Sequence, residues 1–319
     1  MRHHVDGRRA LLIAGPTASG KSALALRAAE RFGGVVINAD SMAVYRDLAV
    51  LTGRPDDADL ARAPHRLYGH RDAAAPYSVG LWLAEARAEL RRAWDAGALP
   101  VVVGGTGLFF TALTRGLSEI PAVPDEIRAR VRAEAEETGP GALHARLSRL
   151  DPLTASRLRA TDPQRVARAL EVFEATGRPL VEFQTRRSAP VLPLDRAVGL
   201  VLAPERAALG RSIDARFDRM MERGALDEVA RLRARGLDPA LPAMRALGVP
   251  PLLAHLDGTL SLDEAVARSK AGTRAYAKRQ ATFSRHQLTG FSEIAPEAAE
   301  TALGEVGAAF RPPSGEGRA

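Results

Sequence analysis

The sequence predicts an α/β protein built on a parallel sheet, with a helical domain inserted into it. Three observations carry that expectation. Short, continuously apolar segments alternate with amphipathic ones early in the chain. A glycine-rich loop joins the first apolar segment to the helix after it. From about residue 116 to residue 194 the apolar spacing becomes wholly helical. Continuously apolar strands are buried on both faces, which is the habit of parallel sheets covered by crossover helices.

Taken in order, Ala10–Ala14 reads as a strand ending at Gly15, and Ala23–Phe32 as the helix that follows. Val35–Ala39 is a second strand, ending at Asp40. Leu81–Ala96 is amphipathic and helical, and Gly97 suits its C-terminal cap. Pro100–Val103 is a third apolar strand, ending in Gly104 and Gly105. Beyond Gly116, Pro121 and Pro124 break the chain. Ile127 and Val131, then Leu143, Leu147 and Leu150, then Val166, Leu170 and Phe173 recur at helical intervals, and no strand is expected before about Pro193. Ala197–Ala203 returns to the sheet. Ile213, Phe217, Met220, Val229 and Leu232 mark one long helix, and Leu262–His286 another. The expected organisation is a discontinuous core (1–115 with 195–291), a helical insert (116–194) and a tail (292–319) without structure, closing in the polar PPSGEGRA.

Composition narrows the function. The chain of 319 residues has no cysteine, which excludes disulfides, thiol nucleophiles and thiolate metal sites. No apolar run approaches the roughly 20 residues of a membrane span. The opening MRHHVDGRRA lacks the apolar stretch and cleavage site of a signal peptide. A cytoplasmic protein with no membrane partner, monomeric by default, is therefore expected. The formal net charge is +7. Between Ala265 and Ser292 there is no Asp or Glu, while Arg268, Lys270, Arg274, Lys278, Arg279 and Arg285 supply six cations. So one-sided a run points to a polyanion partner rather than a merely solvated helix face. Only Lys21, Lys270 and Lys278 are lysines among 45 basic residues, which marks sites where a compact ammonium is wanted.

The strongest motif is Gly15, Pro16, Thr17, Ala18, Ser19, Gly20, Lys21, Ser22, which fits the P-loop pattern G-x-x-x-x-G-K-[ST] between a strand and a helix. Glycines let backbone N–H groups turn inward around phosphate oxygens, and the helix N-terminus adds favourable partial charge. Lys21 would neutralise a phosphate oxygen, and the Ser22 hydroxyl would ligate Mg²⁺. The fold class is thus a P-loop NTPase-like parallel sheet core with an inserted helical domain. Enzymes that hydrolyse a nucleoside triphosphate normally place a metal-binding carboxylate at the end of another apolar strand. Here the third strand ends in Gly104, Gly105, Thr106 and Gly107, with no acid. Asp40 is the one well-placed carboxylate, at the strand edge where α/β ligands gather.

GPTASGKS, DSMAVYR, GGTGLF, DPQRVARALEV and AKRQATF occur in the order and spacing of the tRNA dimethylallyltransferases, also called tRNA isopentenyltransferases. The chain resembles that family from about Leu11 to Gln287. GPTASGKS with DSM is specific to the family and its close relatives. The Asp-Pro-Gln-Arg segment and the late Lys-Arg-Gln lean toward its tRNA-acting members. The resemblance implies that the P-loop grips dimethylallyl pyrophosphate, a leaving group, with no need to hydrolyse ATP. That accounts for the acid absent from the third strand.

The resemblance also implies residue roles. The acceptor would be the exocyclic amine of the adenosine 3′ of the anticodon, presented by the anticodon stem-loop of tRNA. Asp40 matches the family's general base, Thr106 its hydroxyl near the bridging oxygen, and Arg245 its pyrophosphate-binding arginine. Asp40, Ser41, Met42 and Ala43, with Thr106, would line the base end of a channel. On the insert, Arg128, Asp162, Gln164, Arg165 and Arg168 would meet the anticodon arm. Lys270, Arg274 and Lys278 share one helix face and would follow the phosphate backbone, with Arg279 and Gln280 beside them. Ala43 stands where many members carry Gln, Val249 where Tyr is common, and Phe109 and Phe283 where Tyr and Trp are frequent. Three rival readings stay open on the residues alone: an adenylate (AMP or ATP) isopentenyltransferase, a P-loop nucleotide kinase or ATPase, and a non-catalytic RNA-binding module.

Overall fold

The computed structural model describes residues 8–310. Its strands are β1 (Ala10–Ala14), β2 (Gly34–Asn38), β3 (His65–Arg66), β4 (Leu99–Gly104), β5 (Ala197–Leu202) and β6 (Ser292–Ile294). They form one parallel sheet in the order β3-β2-β4-β1-β5-β6. β1 lies inside it, with Leu11 opposite Val101 of β4 and Val198 of β5. All five residues of β1 are buried, as a strand with a layer on each face must be.

Four helices follow the early strands: α1 (Lys21–Phe32), α2 (Asp57–Arg62), α3 (Val79–Asp95) and α4 (Gly107–Arg115). α1 lies between two left-handed glycines, Gly20 (φ 88) and Gly33 (φ 62). α3 starts where the Ser78 side chain accepts the Leu81 N–H. Its Trp82 is fully buried, donates from Nε1 to the Asn38 carbonyl at 2.7 Å and stacks on Phe109. That bond anchors the end of β2, from which Asp40 projects.

The segment after α4 is helical: α5 (Asp125–Leu150), α6 (Pro152–Ala155), α7 (Pro163–Thr176) and α8 (Leu180–Phe183). α5 is interrupted at Gly139 (φ 77), just before Pro140. Val131, Leu143, Leu147, Val166 and Leu170 form its core. No strand occurs here among the described residues, only an isolated bridge between Ser118 and Arg187. Arg115–Pro190 forms one compact unit, and the rest of the described chain forms the other.

After β5 come α9 (Arg206–Glu222), α10 (Ala225–Ala234), α11 (Val249–Leu256), α12 (Leu262–Gln287) and α13 (Ala299–Phe310). Two expectations need correction. The long helix expected across Ile213–Leu232 is two helices, because Gly224 takes φ 86 and ends α9. The apolar spacing continues through the break because Phe217, Met220, Val229 and Leu232 enter the same core cluster. The tail is also not structureless from residue 292. β6 pairs with β5, and α13 buries Ala299, Ala302, Leu303 and Val306 against Leu11, Ile13 and Leu24. The residues MRHHVDG and the final PPSGEGRA lie outside the described residues. Leu303 is 1% exposed, so Leu303→Ala should destabilise the protein by about 2–4 kcal/mol in denaturant unfolding. A structureless tail would lose nothing.

Candidate active site

The P-loop leaves the carboxyl end of β1 and enters α1. Ala18 (φ 62) and Gly20 (φ 88) are left-handed, and these two reversals wrap the backbone around the place a phosphate group would fill. Lys21 Nζ donates to the Pro16 carbonyl at 3.1 Å. Burial of the ammonium and the neighbouring Arg216 lower its pKa to about 8, against the opposing pull of Asp40. Ser22 is exposed in the first turn of α1.

Arg216 belongs to none of the sequence motifs. From α9 its Nη1 donates to Thr17 Oγ1 at 2.6 Å and its Nη2 to the Thr52 carbonyl at 3.2 Å. Burial lowers its pKa, while Asp40 raises it. The available signal was its place within an apolar stripe, three residues after the buried Ile213 and four before the buried Met220. An arginine on the buried side of a helix needs an internal partner.

Asp40 follows β2 in a tight turn. Its Oδ1 accepts from the N–H groups of Met42 at 2.9 Å and Ala43 at 3.4 Å. Asn38, 1% exposed, fixes the Asp40 backbone from both sides: Oδ1 accepts the Asp40 N–H and Nδ2 donates to the Asp40 carbonyl. Thr106 lies across from this turn. Its Oγ1 accepts the Ser41 N–H at 3.0 Å and donates to Ser41 Oγ at 3.3 Å, so the hydroxyl faces the Asp40 turn. The close approach of β2 and β4 explains Gly104, where a Cβ would stand 2.1 Å from the Ala39 carbonyl oxygen. Burial pushes the Tyr276 hydroxyl of α12 up to about 12, with Asp40 adding to the rise and the Thr106 hydroxyl opposing it.

Two cavities meet here, with Thr17, Ala18, Asp40, Thr52 and Arg216 lining both. One is lined by the P-loop, with Lys21, Arg54, Arg216, Arg219 and Arg223 in its wall against the acids Asp40, Asp56 and Asp59, so cations outnumber acids there. The other, about 310 Å³, is walled by Leu51, Ile213, Phe217 and Met220. That volume suits a small organic group. Arg245, Ser41, Met42, Tyr276 and Arg279 also line it. Arg245 ends a short 3-10 turn, is exposed, and bonds only the Pro239 carbonyl, at 3.4 Å, among the described residues. The direct cationic contact to the loop is therefore Arg216.

The remaining expected residues divide. Gln280 requires correction. It is 6% exposed, its Oε1 accepts the Thr17 N–H at 2.9 Å, and its Nε2 donates to the Gly105 carbonyl at 2.8 Å. It is enclosed by the loops it joins, so its side chain ties the P-loop to the end of β4 and does not stand at the surface. Ala43 is buried, its carbonyl accepting from Gly69. Lys270 and Arg274, free of acids in sequence, pair in space with Asp218 and Asp214 of α9. Lys278 is exposed, and Arg279 lies over the Tyr276 ring. In the other compact unit, Asp162 caps α7 through the Arg165 N–H, Arg165 also pairs with Asp162, and Gln164 is exposed. Arg168 pairs with Glu171, and Arg128 with Asp125. No cluster of three metal-ligating side chains occurs among the described residues.

Known proteins match this chain along most of its length. The family model described as IPP transferase matches residues 43–287, and one described as isopentenyl transferase matches residues 8–73. A tRNA dimethylallyltransferase of Methylocella silvestris is 61% identical over 91% of this chain and 96% of its own length. One from a Methylobacterium species is 62% identical over 91% of this chain and 95% of its own. Among solved structures, the full-length tRNA isopentenylpyrophosphate transferase of Bacillus halodurans is 30% identical with a TM-score of 0.69, covering 95% of this chain and 97% of its own. A eukaryotic dimethylallyltransferase described as acting on tRNA gives a TM-score of 0.80 at 26% identity, over 96% of this chain and 81% of its own. With a P-loop running into a sheet edge that opens on two cavities, and relatives alike along nearly their whole length, the chain belongs to the IPP transferase family.

Proposed function

We infer that this protein transfers a dimethylallyl group from dimethylallyl pyrophosphate to the exocyclic amine of the adenosine 3′ of the anticodon in tRNA, releasing pyrophosphate. One observation carries the reading: Asp40 lines both the cavity formed by the P-loop, where cations outnumber acids, and the apolar one beside it. The names of the full-length relatives support the same reaction. tRNA would be met in the cytoplasm.

The geometry suggests how the reaction proceeds. The diphosphate lies in the P-loop, where backbone amides, Lys21 and Arg216 meet the negative charge that grows as the carbon–oxygen bond breaks. Leu51, Ile213, Phe217 and Met220 house the apolar chain and keep water from the activated carbon. The adenine amine, drawn out of its stack, bonds to that carbon. Its proton passes to the Asp40 carboxylate, whose turn already engages Oδ1. Arg245 and Thr106 flank the site. Mg²⁺ fits an oxygen-only donor set of the exposed Ser22 hydroxyl and the diphosphate itself, since it is commonly held by few protein oxygens plus substrate phosphates. Bound there it would neutralise charge on the leaving group. The exposed Lys278 and Arg279 of α12 supply cations for the tRNA backbone, while Gln164 and the acid-paired Arg128, Arg165 and Arg168 offer hydrogen-bond donors.

Incubating the protein with dimethylallyl pyrophosphate, Mg²⁺ and either tRNA or AMP should yield prenylated tRNA. Prenylated AMP alone, or ATP consumption without prenyl transfer, would refute the reading. Lys21→Ala and Asp40→Asn should each slow single-turnover tRNA prenylation by about 10²-fold or more. The asparagine keeps the turn's acceptor, so its loss reports on the proton transfer.

The Lys21 shift gives a pH dependence. Lys21 is charged below a pH of about 8 and neutral above it. kcat/KM for dimethylallyl pyrophosphate, which reports the free enzyme, should fall as pH rises through that value. Lys21→Arg should abolish that limb of the profile. For tRNA, binding should weaken with salt, and Lys278→Ala or Arg279→Ala should each flatten the log–log slope by about 1. Lys270→Ala and Arg274→Ala should change it less, because Asp218 and Asp214 already engage those cations.

A further inference from the structure

Glu228 is a carboxylate that the proposed chemistry does not use. It lies on α10 and is 4% exposed, among helices whose Phe217, Val229, Leu232 and Leu252 form an apolar cluster. A charge in such surroundings is costly unless its oxygens are fully engaged. They are: Oε1 accepts the N–H of Ala49 at 2.6 Å and of Val50 at 2.8 Å, and Oε2 that of Leu51 at 3.0 Å. Three consecutive amides thus converge on one side chain about 180 residues away in sequence. The next residue, Thr52, offers its carbonyl to Arg216 Nη2 at 3.2 Å, and Arg216 Nη1 holds Thr17 of the P-loop at 2.6 Å. The fit beyond is close, for a Cβ on Gly53 (φ 60) would come within 2.2 Å of Arg216 Nη2.

We propose that Glu228 is a positioning residue for diphosphate binding: it fixes Ala49–Thr52 so that the Thr52 carbonyl aims Arg216 at the P-loop. The inference rests on the function proposed above in taking the loop's ligand to be a diphosphate. A carboxylate is required because it is acceptor-only at both oxygens. An amide of the same shape must turn its NH₂ group toward at least one of the three N–H donors.

The test is calorimetric titration of the full chain with inorganic pyrophosphate and Mg²⁺, for the parent, Glu228→Gln, Arg216→Ala and the double variant. KM and kcat for prenyl transfer to tRNA are measured beside it. Glu228→Gln should weaken pyrophosphate binding and raise KM for dimethylallyl pyrophosphate, each by about tenfold, the effect of removing one charge-assisted hydrogen bond. KM for tRNA should not change. In the Arg216→Ala background Glu228→Gln should add nothing, because the two act as one unit. An unchanged affinity in Glu228→Gln, or additive losses in the double variant, overturns the inference. Leu252→Ala loosens the same apolar cluster and should lower Tm while keeping pyrophosphate affinity; an equal loss there would make the effect general loosening and end the proposal. If Glu228→Gln yields no folded protein, the cycle is run with Glu228→Asp, which draws the carboxylate back by one methylene. A parent that binds no pyrophosphate overturns the functional reading itself, a result distinct from a binding parent with an indifferent Glu228→Gln.

Discussion

The loop between β1 and α1 must hold several backbone amides around one point, although amides crowded together repel and gain by bonding elsewhere. Everything else at the site serves that constraint. Gln280 accepts the Thr17 N–H and ties the loop to the Gly105 carbonyl at the end of β4. Arg216 holds the Thr17 hydroxyl from α9. Lys21 bonds back to the loop's own Pro16 carbonyl. Two helices far apart in sequence, α9 and α12, thus meet on a stretch of eight residues. The parallel sheet makes this possible by bringing the carboxyl ends of β1, β2 and β4 to one edge.

The same edge sets Asp40 and Thr106 face to face. β2 and β4 are neighbours, so the residues just past their ends face one another, and Gly104 lets the backbones approach closely. The Asp40 turn uses one carboxylate oxygen for its own amides, and Thr106 holds the following amide. The side chain is therefore oriented by the protein's own hydrogen bonds, which is what a positioned base would require.

Much of this was legible in the sequence, for physical reasons. Each sheet-core strand buries both faces, so β1, β2, β4 and β5 read as apolar runs. The P-loop carries its geometry in its glycines. β3, of two residues, and α2, which buries none, left no periodic trace. The break between α9 and α10 was hidden because both helices feed one core, so the apolar rhythm passed over Gly224. The final helix was missed because α13 is rich in Ala and Gly, a weak pattern that gains its stability from tertiary packing. At the site, motif residues were found and their supports were not. Arg216 and Glu228 act through partners distant in sequence, which no local spacing reveals, although a charge on the buried side of a helix was a legible warning. Gln280 sits in a basic motif, yet its side chain is buried while those of Lys278 and Arg279 are exposed.

That last case shows how charge should be read. Along α12 the sequence offers cations with no acid near them, and in one dimension they look like a uniform basic stripe. Folded, the helix has distinct faces. Ala277, Gln280 and Ser284 are buried. Lys270 and Arg274 lie against the acids of α9, while Lys278 keeps an exposed position without an ion pair among the described residues. An ion pair at a surface adds little stability, but it removes most of a cation's attraction for a polyanion by neutralising it locally. Of the cations on α12, Lys278 and Arg279 stay exposed in its C-terminal half, the half whose Gln280 also bonds the P-loop, and Arg268 is exposed nearer its N-terminus. The half of α12 that presents Lys278 to solvent is also the half whose Gln280 ties the P-loop to the end of β4, so one element both supports the site and carries an exposed cation beside it.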